Sequence, residues 1–146
     1  MENTNFSNDL KNSGLKNTKH RIAILDILEH SDQPIAAEQV FLELKEKDVS
    51  TNLSTVYRTL ESLSDKSLII KLNILGDNRT LFEINHMIHR HYLVCLGCKK
   101  IISIDYCPLK NYEESLAAQT NYSITGHSLD IYGYCPECQS KGQLKK

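Results

Sequence analysis

Two Cys-x-x-Cys pairs, Cys95-Leu96-Gly97-Cys98 and Cys135-Pro136-Glu137-Cys138, constrain this chain more than any other feature. Two residues between cysteines let the backbone fold over one ion while both thiolates reach it at about 2.3 Å. Two such knuckles complete a tetrahedral S4 shell, and a closed shell leaves no open position for catalysis. The segment between them is longer than in an ordinary zinc ribbon, but a strand–helix–strand unit fills it. The other readings are a buried apolar cysteine cluster or a thiol redox pair. A redox pair belongs at a helix start in a βαβ unit, and neither knuckle shows that pattern.

A chain of 146 residues, 40% hydrophobic and 24% charged, makes one ordinary domain or two small ones and excludes wholesale disorder. No apolar run is long enough to span a bilayer, and Met1–Leu10 is too polar for a signal peptide, so a cytoplasmic protein without a membrane partner is expected. In that compartment five cysteines point to metal or redox chemistry rather than disulfides. The net charge of −1 gives no global attraction to nucleic acid or membrane. Its distribution is uneven. Residues 1–84 hold ten Lys/Arg and thirteen Asp/Glu, net −3, whereas residues 85–146 hold seven and five, net +2. All five cysteines fall in the second stretch, which predicts a metal-free domain at 1–84 and a metal-rich one at 85–146.

Helical periodicity marks Thr18–Glu29 (Ile22, Leu25, Leu28) and, most clearly, Ala37, Val40, Phe41 and Leu44. A third helix carries Leu53, Val56, Leu60 and Leu63 on one stripe, with Asn52 placed to cap it. Ile70, Leu72 and Ile74 alternate with polar residues as a strand; Gly76–Arg79 is a turn, and Leu81–Ile84 the returning strand. Three helices followed by a β-hairpin is the order of a winged helix-turn-helix. Further on, His89, His91 and Leu93 are expected on one strand face, Lys100–Asp105 on a second strand, and Leu109, Tyr112 and Leu116 on a helix opened by Pro108. Ser123–Cys135 is expected as the last strand, with His127 on it. The fold class is therefore α+β.

His89 and His91, two apart on a strand, form a bidentate arm for a divalent metal, and the S4 site would bring His127 near them. Cys107 is the leading candidate for a fourth ligand, its alternative role being a small buried hydrophobe. Glu83 is a second candidate, its alternative being a solvated strand residue, while His86, His20 and His30 read as linker and exposed helix positions. On the third helix, Ser54, Thr55 and Arg58 face away from the leucines with Tyr57 at the edge, a surface able to approach a DNA major groove or merely to be solvated. Lys11, Lys16, Lys19 and Arg21, without an intervening acid, could meet phosphates or merely be solvated, and the net charge of −3 on residues 1–84 argues for weak affinity per protomer and so for a dimer.

Four stretches together resemble the ferric uptake regulator family of bacterial metal-dependent repressors over residues 10–140. They are Gly14–Arg21, Ala37–Phe41, Ser54–Leu60, and His89-x-His91-(x)3-Cys95-x-x-Cys98 joined to Gly126-His127 and Ile131–Cys138. The resemblance implies a winged-helix DNA-binding domain followed by an α/β dimerisation domain, and a homodimer that binds palindromic double-stranded operators when a regulatory metal is loaded. It implies structural zinc on Cys95, Cys98, Cys135 and Cys138, a second metal at His89, His91 and His127, and DNA contacts from Tyr57, Arg58 and the Lys16–Arg21 region, which includes Thr18.

The departures are informative. Gln33-Pro34, Arg90, Tyr92 and Ser103 stand where iron- or peroxide-sensing members supply ligands, and Lys110 replaces the acidic ligand of the remaining site. With Cys107 substituting, a His3Cys set is softer than an oxygen-rich one and favours zinc over ferrous iron or manganese. The expected function is a zinc-sensing repressor of uptake genes, with an iron- or manganese-responsive repressor as the alternative. Outside this class stand a zinc-dependent hydrolase using the three histidines with an open position on the metal, and a thiol oxidoreductase.

Overall fold

The computed structural model describes residues 3–74, 78–87 and 89–142. The chain divides into two compact units, Met1–His86 and Met87–Lys146. Among the described residues no helix is long and apolar enough to cross a membrane.

The first unit opens with α1 (Asn3–Asn12), which the polar composition of the N-terminus did not suggest. Its Phe6 and Leu10 lie four residues apart, so both fall on one face, and both are buried. Helix α2 (Lys19–Glu29) starts where the Thr18 side chain accepts the Arg21 N–H at 3.2 Å, and it buries Ile24, Leu25, Ile27 and Leu28. After Pro34 comes a two-residue strand, β1 (Ile35–Ala36), too short to register as an alternating pattern. Helix α3 (Ala37–Glu46) buries Ala37, Val40 and Leu44. Helix α4 (Leu53–Asp65) is capped by Asn52, whose Oδ1 accepts the Thr55 N–H at 2.8 Å, and it buries Val56, Leu60 and Leu63.

Strands β2 (Ile69–Asn73) and β3 (Thr80–Ile84) pair antiparallel from Ile69↔Ile84 to Asn73↔Thr80, and β1 joins the free edge of β3 through Ile35↔Phe82. Gly76 and Asp77 of the expected turn lie outside the described residues. Phe82 and Ile84 enter the same core as Leu25, Val40, Leu60 and Leu63, so the hairpin is anchored to the helices by side-chain burial. The unit is a winged helix-turn-helix, and the Glu61–Lys71 ion pair at 2.8 Å links α4 to the first wing strand.

The second unit contains β4 (His91–Cys95), β5 (Ile101–Ile104), α5 (Lys110–Thr120), β6 (Asp130–Gly133) and a short helix α6 (Pro136–Ser140). The sheet order is β5-β4-β6, with β5 antiparallel and β6 parallel to the central strand. The expected strand at Ser123–Cys135 is thus mostly absent. The parallel register begins at Tyr92↔Asp130, and β4 itself begins at His91, so residues 123–129 have almost no strand upstream to pair with. His127 therefore sits on irregular backbone, as does His89, which precedes β4. The expected apolar stripe of α5 is also uncovered: the helix has no buried residue, and Tyr112 is 62% exposed.

Beyond Met87, the buried residues among those described are His91, Tyr92, Val94, Cys95, Ile101 and Cys138. Half of these bear metal-donor atoms. The hydrophobic core is too small to explain the order of this unit by apolar burial alone.

Candidate metal centres

The first knuckle is shaped by backbone. Lys99 adopts a left-handed conformation (φ 67°), its N–H reaches the Cys95 carbonyl at 3.0 Å, and Cys95 N–H then bonds Lys100 O at 2.9 Å to start β5. A left-handed lysine costs roughly 1–2 kcal/mol. The second knuckle opens α6, so one pair does stand at a helix start, against the sequence expectation, although no strand follows it among the described residues. Pro136 occupies the first turn and the Cys138 N–H points at Cys135 Sγ at 3.5 Å. Leu96 N–H bonds Gly133 O at 2.8 Å and Cys135 N–H points at Cys95 Sγ at 3.3 Å, so the sheet holds both knuckles face to face.

All four sulfurs lie within 4.8 Å of one another, and Cys98 Sγ is 3.8 Å from Cys135 Sγ. A tetrahedron with zinc–sulfur bonds of about 2.3 Å has edges of about 3.8 Å, so the cage is of the size zinc requires. Backbone N–H groups, that of Cys135 first, lower the Cys95 thiol to about 6, while burial and then neighbouring thiols push Cys138 up to about 12. Four thiolates held this close would repel one another. A divalent cation would offset that repulsion.

The second cluster gathers His89, His91, Cys107 and His127, whose donor atoms also lie within 4.8 Å of one another. His127 Nε2 stands 2.9 Å from His89 Nε2 and 3.0 Å from His91 Nε2, and Cys107 Sγ is 3.3 Å from the Nε2 atoms of both His91 and His127. Three imidazole nitrogens and a sulfur converging on one point have too few protons to satisfy each other's lone pairs, whereas a cation satisfies all four at once. The nitrogens sit a few tenths of an ångström closer than the roughly 3.3 Å edge of a tetrahedral site with 2.0–2.1 Å bonds. Burial first, then the neighbouring His89 and His127, hold His91 below its ordinary range, favouring the neutral form that binds metal.

Glu83 is not in either donor group among the described residues. It lies in β3 of the first unit, opposite Ile70, and is buried. An acid does stand beside the second cluster, outside its donor set: Glu113, on α5, whose carboxylate meets Nδ1 of His127. The sequence offered Glu83 as the acidic candidate, noted that Lys110 stands where the family has an acidic ligand, and missed Glu113. One turn farther along the helix, it could have been found by the three-residue helical spacing from that position.

In the first unit, Ser54 and Arg58 are exposed on α4, and Tyr57, 40% exposed, donates its hydroxyl hydrogen bond to Glu38 on α3. The backbone of Thr55 is committed to the Asn52 cap and, through its carbonyl, to the Thr59 hydroxyl. The Arg21 guanidinium donates to the Lys16 carbonyl at 2.8 Å, so Lys16, Thr18 and Arg21 form one structured element at the start of α2. His20 and His30 belong to α2 and its end, where they bond to the Ser50 and Asp26 carbonyls, and His86 pairs with Glu29 at 3.8 Å.

The ferric uptake regulator family model matches residues 12–132. The chain is 31% identical over 144 residues to the ferric uptake regulation protein of Neisseria meningitidis serogroup A, covering 98% of this chain and 99% of that protein. It is similar to the crystal structure of the Vibrio cholerae ferric uptake regulator at a TM-score of 0.78 and 32% identity, covering 89% of this chain and 99% of that one. It is also similar to the Helicobacter pylori ferric uptake regulator, described as having three functional metal binding sites, at a TM-score of 0.80 and 26% identity, covering 93% and 90%. Since amino-acid identity and backbone geometry agree along nearly the full length, this chain belongs to the ferric uptake regulator family and is a metal-responsive transcription regulator rather than an enzyme.

Proposed function

We propose that this regulator is a cytoplasmic repressor of metal-uptake genes that responds to zinc. Residues 1–84 act as the DNA-binding domain and residues 85–146 as the dimerisation and metal-binding domain. Cys95, Cys98, Cys135 and Cys138 hold a permanent structural zinc. His89, His91, His127 and Cys107 hold the exchangeable regulatory ion. The observation that carries the zinc reading is the donor set: three imidazoles and a thiol without a carboxylate ligand among them, a soft combination that suits zinc better than ferrous iron or manganese.

The regulator works as a homodimer on a palindromic operator. Supporting this, Leu93 lies beside both Ile102 and Ile131 across the second sheet, and all three are exposed, at 38%, 50% and 45%. Such an apolar row, with the uncovered α5, is suited to burial against a second copy. Metal binding selects the dimer conformation whose two α4 helices match successive major grooves, about 34 Å apart. Tyr57, Arg58, Ser54 and Thr55 then approach base edges, and Lys16, Thr18 and Arg21 approach phosphates.

Operator-binding titrations with zinc, ferrous iron and manganese at fixed salt test this reading. Zinc is expected to drive binding at the lowest free concentration, and His89→Ala with His91→Ala to abolish the response while the structural zinc stays bound. Activation by iron at lower free concentration would replace zinc with the metal named in the relatives' own descriptions.

A further inference from the structure

We propose that Glu113 is a positioning residue of the exchangeable-metal site, orienting His127 from behind and making the placement of helix α5 depend on whether the ion is bound. The inference rests on the regulatory-site reading above and adds a residue that is not a ligand.

The two nitrogens of His127 face different partners. Its Nε2 points into the cluster, 2.9 Å from His89 Nε2 and 3.3 Å from Cys107 Sγ. Its Nδ1 points away, to the Glu113 carboxylate. The lone pairs of the two ring nitrogens diverge, so a carboxylate engaged at Nδ1 lies on the far side of the ring from the ion. A carboxylate accepts, so Nδ1 must carry the proton and Nε2 is left with its lone pair free for metal. The ring and Glu113 are both half-buried, at 16% and 27% exposure, which shields the pair from competing water. This orientation matters more for His127 than for its neighbours. His91 is held by β4 and by a hydrogen bond to the Leu129 backbone, whereas His127 sits in a segment without ladder hydrogen bonds.

The same contact reaches α5. That helix buries none of its own residues, so apolar packing within this chain does little to fix it. It is flanked by two connections to the site, Cys107 just before its first turn and Glu113 within that turn. An ion gripped by Cys107 and His127 therefore pins the start of α5 at two points, and removing the ion loosens both.

The test uses the full chain with its structural zinc retained, comparing wild type, Glu113→Ala, Glu113→Gln and His127→Ala. Zinc affinity is read by competition with a chelating dye, ligand geometry by the visible spectrum of the cobalt(II) form, and the state of α5 by amide hydrogen exchange. Glu113→Ala should weaken the exchangeable zinc about 10–100-fold, change the cobalt bands, and remove much of the metal-induced protection over residues 107–120. Glu113→Gln should fall between Glu113→Ala and wild type, because its amide oxygen still accepts the Nδ1–H. If Glu113→Ala loses its structural zinc, Glu113→Gln decides alone: weakened binding with the structural zinc intact supports the proposal, and wild-type affinity overturns it. Wild-type affinity and spectra in both Glu113 variants, with binding lost in His127→Ala, would overturn the role of Glu113 and leave the metal site standing. A wild-type chain that takes up no second ion would overturn both.

Discussion

The Tyr57 hydroxyl donates a hydrogen bond to Oε1 of Glu38, tying α4 to α3 on the exposed side of the first unit. The contact fixes the orientation of the Tyr57 ring on the exposed side of α4. The contact also shifts both partners: the hydroxyl holds Glu38 below 4.5, and the same hydrogen bond, which ionisation would destroy, holds Tyr57 above 10.0.

The pH signature follows from these signs. Glu38 contributes stability above its unfolded value near 4.5, and that contribution fades as pH falls through its lower folded value. Tyr57 contributes below 10.0 and loses its contribution as pH rises through its higher folded value. The latch persists throughout the interval, with a small energy because both groups are solvated. In Tyr57→Phe, carboxyl NMR should show Glu38 titrating closer to 4.5. An unmoved Glu38 would mean that the hydrogen bond is not formed in solution.

The S4 cage makes a prediction about local stability. Cys98 is the exposed member of the four, so Cys98→Ser removes a metal ligand with little loss of packing. The variant should lose its tight zinc and most amide protection in β4, β5 and β6. Helices α2 to α4, which bury Leu25, Val40 and Leu60 in their own core, should keep theirs. Metal analysis combined with hydrogen exchange checks both halves, and a Cys98→Ser chain that retains tight zinc would contradict the assignment.

Arg58 tests how DNA is read. Arg58→Ala should cost about 1–3 kcal/mol concentrated at one operator position if the guanidinium reads a base edge, measured across a panel of single-base operator variants. An equal loss on every variant would reassign Arg58 to the phosphate backbone.

Local signals accounted for most of the first unit. The four-residue recurrence of Val40 and Leu44, the Asn52 cap and the alternation around Leu72 all depend on neighbours within a few positions, and each reappears as α3, α4 and β2. Helix α1 escaped notice because only Phe6 and Leu10 of its face are buried apolar residues. Strand β1 escaped because two residues carry no period.

The S4 knuckles were legible in the chain itself, since Cys-x-x-Cys spacing places two thiolates near one ion whatever surrounds them. The sequence offered both Cys107 and Glu83 beside the three histidines, and the tertiary structure brings Cys107 to them; Glu113 backing His127 and the shortening of the last strand to Asp130–Gly133 were decided by the tertiary structure alone. The physical reason is separation along the chain. His91 and Cys107 are 16 residues apart, and His91 and His127 are 36 apart. Only the parallel register of β6 against β4, and the return of α5 toward that strand's start, set which side chains meet there.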